Sequence, residues 1–447
     1  MSQEKRSVVN LLQEFSIPLL VGVVAALFAA NFAHGWYEHA VHWKPFGDLA
    51  VFGHELTLHF LVNDIFMVLF FGIAAKEITE SCLPGGSLNP PRKAINPLMA
   101  TVGGIVGPIL VFILGLIACF EVGIYDPAKV DFNALARGWG VPTATDIALA
   151  WLVARMVFGK GHPAVAFLLL LAVADDAVGL GIIAIFYGDP STPAAHAYLG
   201  LVLLGMGVTY GLRRMGVQQW PVYILTAGPI SWCGLMLAHL HPALALAVVV
   251  PFLPAPSRDT GLYVDEDEVD QMGEQAAAES HTEHSPLHLF EHQRKSTVDF
   301  GLFFFAFCNA GVVLASIGPM TWLILGALVI GKTAGVTFMG LLARRLGFPL
   351  PAGMGVGDLV MAGFIAALGL TVALFVATAA FNDPALQGQA KMGALFSGFV
   401  GLAAIVVARI VSAVQARVSE ADELGHGAGA GVGDHLPVPM AAKGPDE

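Results

Sequence analysis

The stretch LLLLAVADDAVGLGIIAIF, residues 168–186, decides how the whole chain is read. As a helix rising 1.5 Å per residue it is long enough to cross a hydrocarbon core of about 30 Å. Yet two adjacent carboxylates, Asp175 and Asp176, sit inside it. A charge at the centre of a membrane helix costs about 2.5–3.5 kcal/mol, so a pair there calls for a function or a partner.

The surrounding composition has the same character. The chain of 447 residues is 56% hydrophobic and 13% charged, with a mean hydropathy of +0.71, whereas soluble domains carry roughly 25% charged residues. Twelve apolar windows recur, with cores near 16–33, 59–76, 96–119, 140–156, 163–187, 194–211, 220–237, 240–253, 298–316, 321–342, 356–381 and 391–415. They predict an all-α polytopic membrane protein of about twelve transmembrane helices. The first window follows Lys5 and Arg6 like a signal peptide but has no clear cleavage site, so it reads as a retained helix.

The expected organisation is a cytoplasmic N-terminal segment at 1–14, a transmembrane domain at 15–418 and a tail at 419–447. A cytoplasmic acidic insert interrupts the domain at about 259–285. Much of the acid behind the net charge of −12 lies at 259–291 and 420–447. Insert and tail lack apolar periodicity and read as disordered. With no basic surface or nucleic-acid motif, no nucleic-acid partner is expected. Cys82, Cys119, Cys233 and Cys308 have no paired spacing and imply neither a disulfide framework nor a zinc site.

Placing the N-terminus inside leaves Lys44, Lys129, Arg137 and Lys391 on the outside, while the other basic residues outside the spans, tail apart, fall on the inner side. The positive-inside rule therefore puts both termini in the cytoplasm of a multi-pass protein.

Besides the aspartate pair, Asp146 in GWGVPTATDIALA and Lys332 in LVIGKTAGVTF lie well inside apolar windows. A buried structural ion pair would account for one lysine and one acid and leave two acids over. Adjacent helical residues diverge by about 100°, so Asp175 and Asp176 cannot face the same partner: one can meet Lys332 while the other faces a cavity. Crowded carboxylates in low dielectric, supplemented by hydroxyls or carbonyls, can hold either a proton or a hard cation. Gly138, Gly140 and Pro142 precede Thr143, Thr145 and Asp146, so the helix there should break and free carbonyls at membrane depth. Gly363 and Gly369 interrupt MAGFIAALGLTVALF in the other half of the chain. Two interrupted helices in corresponding halves point to an inverted-repeat transporter with a midplane site.

At this point the residues resemble the bacterial NhaA-type sodium/proton antiporters. The motifs NDIFMVLFFGIAAKEI, VPTATDIALA, LAVADDAVG, HPALALAVVVPFLP, SPLHLFEH, FAFCNAGV, VIGKTAGV and GLTVALFVATAAF follow in that family's order, over about residues 15–415. The resemblance implies a twelve-helix fold with inverted repeats and two unwound helices that cross. It makes Asp176 the principal cation ligand, Asp175 its partner acid paired with the charge-compensating Lys332, and Thr145 and Asp146 the residues of the unwound helix. Sodium, bound at Asp176 and Asp175, would be the metal. It further implies a secondary active transporter rather than an enzyme, without a cofactor. Such a protein would export sodium or lithium from a bacterial inner membrane in exchange for protons, electrogenically, and serve pH and sodium homeostasis. The partners are then sodium ions, protons and the bilayer, with a homodimer left open. Glu77, Glu291, His292 and His241 match positions of that family's pH regulation, whereas Glu80, Ser81 and Lys295 depart from it.

Rival motifs weigh less. GVGD at 355–358, with Tyr125, Asp126 and the PAL at 384–386, imitates an intramembrane aspartyl protease, but Asp126 falls in a polar loop beside Pro127. HLFEH at 288–292 has the H-x-x-E-H spacing of zinc peptidases but reads as a solvated juxtamembrane helix. His34, His39, His42, His54 and His59 read as surface residues, and Asn63 and Asp64 as a cap for the second helix. A passive channel would need a repeated filter or a ring of charges, which the sequence lacks.

Overall fold

A computed structural model describes residues 16–84, 88–89, 91–188, 195–255 and 285–429. The N-terminal segment 1–14, the acidic insert up to residue 284 and the tail beyond 429 lie outside the described residues.

The described chain is almost wholly helical. In order come α1 (Ile17–Phe32), α2 (His34–Val41), α3 (Leu58–Ser81), α4 (Pro91–Glu121), α5 (Phe132–Thr143), α6 (Ile147–Phe158), α7 (Pro163–Phe186), α8 (Leu199–Arg214) and α9 (Trp220–Leu237). Then follow α10 (Pro286–Asn309), α11 (Pro319–Arg345), α12 (Val356–Ile365), α13 (Thr371–Ala380) and α14 (Pro384–Gly429). Among the described residues six helices, α3, α4, α7, α9, α11 and α14, are long and apolar enough to cross a membrane. The pair α5 and α6 makes a seventh candidate, bent by 49° at its break. Four shorter apolar helical stretches, at 17–32, 242–252, 356–365 and 371–380, fall in three further windows, the last two sharing the window at 356–381. Two features differ from the sequence reading. A two-stranded hairpin, β1 (Ala50–Val51) and β2 (His54–Glu55), turns through Phe52 and Gly53 at positive φ. The window at 240–253 forms 3-10 turns, not an α-helix, because Pro242 and Pro251 each remove a backbone donor.

Local chemistry sets the ends. Pro163 begins α7, where a missing N–H costs nothing, and the His162 ring accepts from Ala164 N at 3.2 Å. Gly159, at φ 89°, closes α6. Helix α7 then packs against α3, α4, α5, α6 and α12, so its two aspartates are brought into the middle of the bundle. On its far side α4 meets α11 at glycines: a Cβ on Gly107 would strike the carbonyl of Gly331, and one on Gly331 would strike the backbone of Pro108. This contact holds the backbone next to Lys332 against α4.

Two interruptions face each other at the centre. The 3-10 stretch from Arg137 ends at Thr143, Ala144 and Asp146 are extended, and the α-helix restarts at Ile147. The second break separates α12 from α13 at residues 366–370. Backbone groups freed inside an apolar bundle must find partners. Asp146 N donates to Leu368 O at 2.6 Å and Thr145 Oγ1 to Ala366 O at 3.0 Å, from one break to the other, while Gly369 N donates to Ser397 Oγ of α14 at 3.1 Å.

Candidate functional site

Asp146 is the N-cap of α6, and its Oδ1 accepts from Leu149 N at 3.2 Å. Its Oδ2 accepts from Thr371 N at 3.3 Å and Thr371 Oγ1 at 3.0 Å, at the start of α13. One carboxylate therefore meets two helix N-termini. Each contributes roughly half a positive charge, so the two together come close to balancing it. The threonine hydroxyl on α13 was not distinguishable in the sequence, where Thr371 reads as one more tolerated residue in an apolar segment.

Asp175 is balanced differently. Lys332 Nζ donates to Asp175 Oδ2 at 2.6 Å, and also to Thr145 Oγ1. The Thr145 hydroxyl lies 2.6 Å from the same Oδ2, so its single proton serves either Asp175 or the Ala366 carbonyl. Lys332 is 0% exposed and Asp175 2%, and Asp175 Oδ1 has no protein partner. Lys332 ends a π-helical turn, Ala327–Lys332, inside α11. Such turns insert one extra residue and re-aim the side chains around them.

Asp176 is the exception. It is half-buried, makes no hydrogen bond among the described residues, and lines a small cavity with Phe71, Ala74, Leu180, Ile183 and Val372. The divergence expected of neighbouring helical residues is therefore present: Asp175 faces the lysine and Asp176 the cavity. Within this centre Asp146 is offset by helix ends and Asp175 by an ammonium, while Asp176 has no protein counter-charge in contact. A carboxylate placed this way can accept a proton or a hard cation.

The regulatory candidates do not form one cluster. Glu291 belongs to a second buried centre, where Lys76 bonds Glu80 at 2.5 Å and also pairs with Glu291. Lys76, one of the basic residues on the inner side, is 1% exposed, where Glu80 of α3 and Glu291 of α10 meet it. Glu77, next to it on α3, is half-buried, and His292 on α10 is exposed. His241 is elsewhere: its Nδ1 lies 3.8 Å from Asp64 and its ring centroid 4.4 Å from that of Phe375. Asp64 precedes Lys76 by three turns of α3, about 18 Å.

Other expectations need correction. Asn63 and Asp64 do not cap α3; Thr57 does, accepting from Phe60 N at 3.2 Å. Asn63 instead exchanges bonds with Asn309, which also accepts from Thr378 Oγ1 at 3.2 Å. His59 is half-buried beside Asn63, because an amide at 2.8 Å satisfies its ring, while His34, His39, His42 and His54 are exposed. Lys391, placed outside by its flanks, is 7% exposed within α14. HLFEH is helical as expected, in the first turns of α10, but only partly solvated: Phe290 and Glu291 are buried and His292 is exposed. Among the described residues no group of three or more His, Cys, Asp or Glu converges as a metal site. In GVGD, Asp358 Oδ2 accepts from Gly355 N at 2.8 Å and caps α12.

Comparison with known proteins is consistent across the chain. A family profile described as Na+/H+ antiporter 1 matches residues 7–411. The protein named Na(+)/H(+) antiporter NhaA 1 of Pelobacter propionicus is 55% identical over 403 residues, which cover 90% of this chain and 97% of that protein. Na(+)/H(+) antiporter NhaA of Geobacter sulfurreducens is 53% identical over 407 residues, covering 91% and 98%. That of Desulfitobacterium hafniense is 53% identical over 422 residues, covering 94% and 100%.

Proposed function

The chain belongs to the Na+/H+ antiporter 1 family of multi-pass membrane transporters, and from that premise we propose that it exports cytoplasmic sodium or lithium in exchange for external protons by alternating access. The exchange is secondary active and electrogenic, and serves pH and sodium homeostasis. The twelve apolar windows are its twelve transmembrane spans in a bacterial inner membrane, with both termini, the acidic insert and the tail in the cytoplasm. The breaks at 144–146 and 366–370 are the crossing points of an inverted-repeat transporter.

One observation carries the reading: three acids share the centre, two are compensated by the protein, and the third, Asp176, is not. A bare carboxylate is too costly to carry across a hydrocarbon barrier, so Asp176 moves only with a proton or a cation bound. Occupancy by one excludes the other, and that exclusion couples the two fluxes. Thr145 and Asp175 complete the cation shell once Lys332 lets go, and Asp146 keeps the two half-helix ends in register.

The test is counterflow in proteoliposomes under an imposed sodium gradient. Proton flux is read while sodium is replaced by lithium or potassium and the membrane potential is clamped with an ionophore. Opposed sodium and proton fluxes that respond to the clamp support the reading; sodium flux without proton counterflow would describe a channel and overturn it.

A further inference from the structure

Asp146 and Arg137 stand at opposite ends of one short segment, and that segment lies beside α13. At the first turn of α13, Thr371 donates to Asp146 from both its N–H and its hydroxyl. At the last residue of α13, Arg137 Nε donates to Ala380 O at 3.2 Å. Gln387 Nε2 adds bonds to Thr378 O at 3.2 Å and Phe381 O at 3.1 Å, so the closing carbonyls of α13 have partners. The ends match: α13 runs the ten residues from Thr371 to Ala380, and its two terminal residues are held from the two ends of the neighbouring segment, Asp146 and Arg137.

The signs agree as well. A carboxylate meets the positive N-terminal end of α13, and a guanidinium meets its negative C-terminal end. Among the described residues Arg137 forms no ion pair with an acid, so its contact is with this helix end. The arginine is itself anchored: Tyr187 OH donates to Arg137 O at 2.7 Å and accepts from Gly140 N at 2.8 Å. A Cβ at position 140 would run into the Tyr187 ring, so glycine is what lets the phenol reach the backbone. Tyr187 caps α7, the helix of Asp175 and Asp176. Helix α13 in turn gives Thr371 to Asp146 and Val372 to the wall of the Asp176 cavity.

Resting on the antiporter reading, we propose that Arg137 is a positioning residue of the transport site. It clasps α13 by its C-terminal end while Asp146 holds the other, so that α13, the 3-10 stretch and α7 keep one relative placement and the cation site keeps its shape. Arg137 touches neither the cation nor the proton, and acts through the placement of Thr371 and Val372.

The experiment measures the half-saturating sodium concentration and the maximal rate of exchange in proteoliposomes for the wild type, Arg137→Gln, Arg137→Lys and Thr371→Val. The pair Arg137→Gln with Thr371→Val completes a double-mutant cycle. Loss of the charge–dipole contact should raise half-saturating sodium roughly three- to thirtyfold, with a smaller change in maximal rate, and Arg137→Lys should recover most of it. The double variant should fall short of the product of the single effects, because both changes loosen the same helix. A merely structural arginine predicts the reverse split: fewer active molecules, a lower maximal rate and unchanged half-saturation, which would overturn the proposal. If Arg137→Gln does not fold, Gln387→Leu is used instead; it should raise half-saturation in the same direction, and an unchanged value overturns the proposal. Absence of sodium-driven proton flux in the wild type would instead break the antiporter reading on which the clasp rests.

Discussion

Two buried lysines in this protein, Lys76 and Lys332, each have two carboxylates close by, a third acid at the second, Asp146, being offset by helix ends, and the two groups are wired differently. At Lys76 both acids, Glu80 from the same helix and Glu291 from α10, bond the one ammonium. At Lys332 only Asp175 does, a threonine hydroxyl takes the next place, and Asp176 on the following residue turns away into a cavity. Asp146 aside, the formal charges match, so composition cannot separate a clamp from a transport site; connectivity can. A centre whose acids are both bonded ties helices together. A centre that leaves one acid open keeps a carboxylate that a proton or a hard cation can reach, and on the antiporter reading that is where exchange takes place.

The largest effect on stability is expected where most charge is stranded. Lys76→Met takes away the ammonium that Glu80 and Glu291 share, and removal of one partner from a buried pair costs about 3–5 kcal/mol. Thermal unfolding in detergent should show the loss, while exchange per folded molecule is retained. Lost exchange in folded Lys76→Met would erase the contrast by making this centre part of transport. Lys332→Gln strands one acid, and its amide can still meet Thr145, so a smaller loss of roughly 3 kcal/mol is expected. Dependence of exchange on membrane potential should survive in that variant. If the potential dependence vanishes while exchange persists, the lysine itself carries a transported proton and is more than a counter-charge to Asp175.

Gly107→Ala sharpens the comparison from the backbone side. The new methyl meets the Gly331 carbonyl beside Lys332, and overpacking of this kind costs roughly 1–3 kcal/mol. Exchange should weaken more than in Gly104→Ala, where the nearest atom is a side-chain methyl of Val336 at 3.2 Å; equal effects would detach the glycine contact from the site. Smallest of all should be deletion of residues 262–282, with exchange rates unchanged, since an acid-rich segment of this composition adds nothing to the apolar core. Loss of activity in a correctly inserted deletion would assign the insert a regulatory role.

The central cluster of charges was legible in the sequence because charge inside an apolar run is expensive and therefore conspicuous. Asp146, Asp175, Asp176 and Lys332 stood out on that ground alone, and the pairing of one acid with the lysine followed from sign and helical geometry. Pro142 marked the first break and Gly369 the second, whereas Gly363 lies inside α12, where it lets Thr333 of α11 approach closely. What stayed hidden involves residues whose burial depends on the partner. Lys76 closes an apolar run beside other charges and looks solvated until α10 brings Glu291 against it. Thr371 and Arg137 are ordinary letters until the two breaks are laid side by side. The 3-10 turns at 242–252 were missed because apolar composition does not report helix type.

The most direct test of the contrast between the two aspartates is sodium-driven proton flux in proteoliposomes for Asp176→Asn beside Asp175→Asn, each normalised to correctly folded protein. The amide keeps the shape of the side chain and removes the charge that a hard cation requires. Asp176→Asn should reduce exchange to the level of protein-free vesicles with little loss of thermal stability, whereas Asp175→Asn should lower stability by about 3–5 kcal/mol because Lys332 loses its counter-ion. Exchange near the wild-type rate in Asp176→Asn would contradict the account.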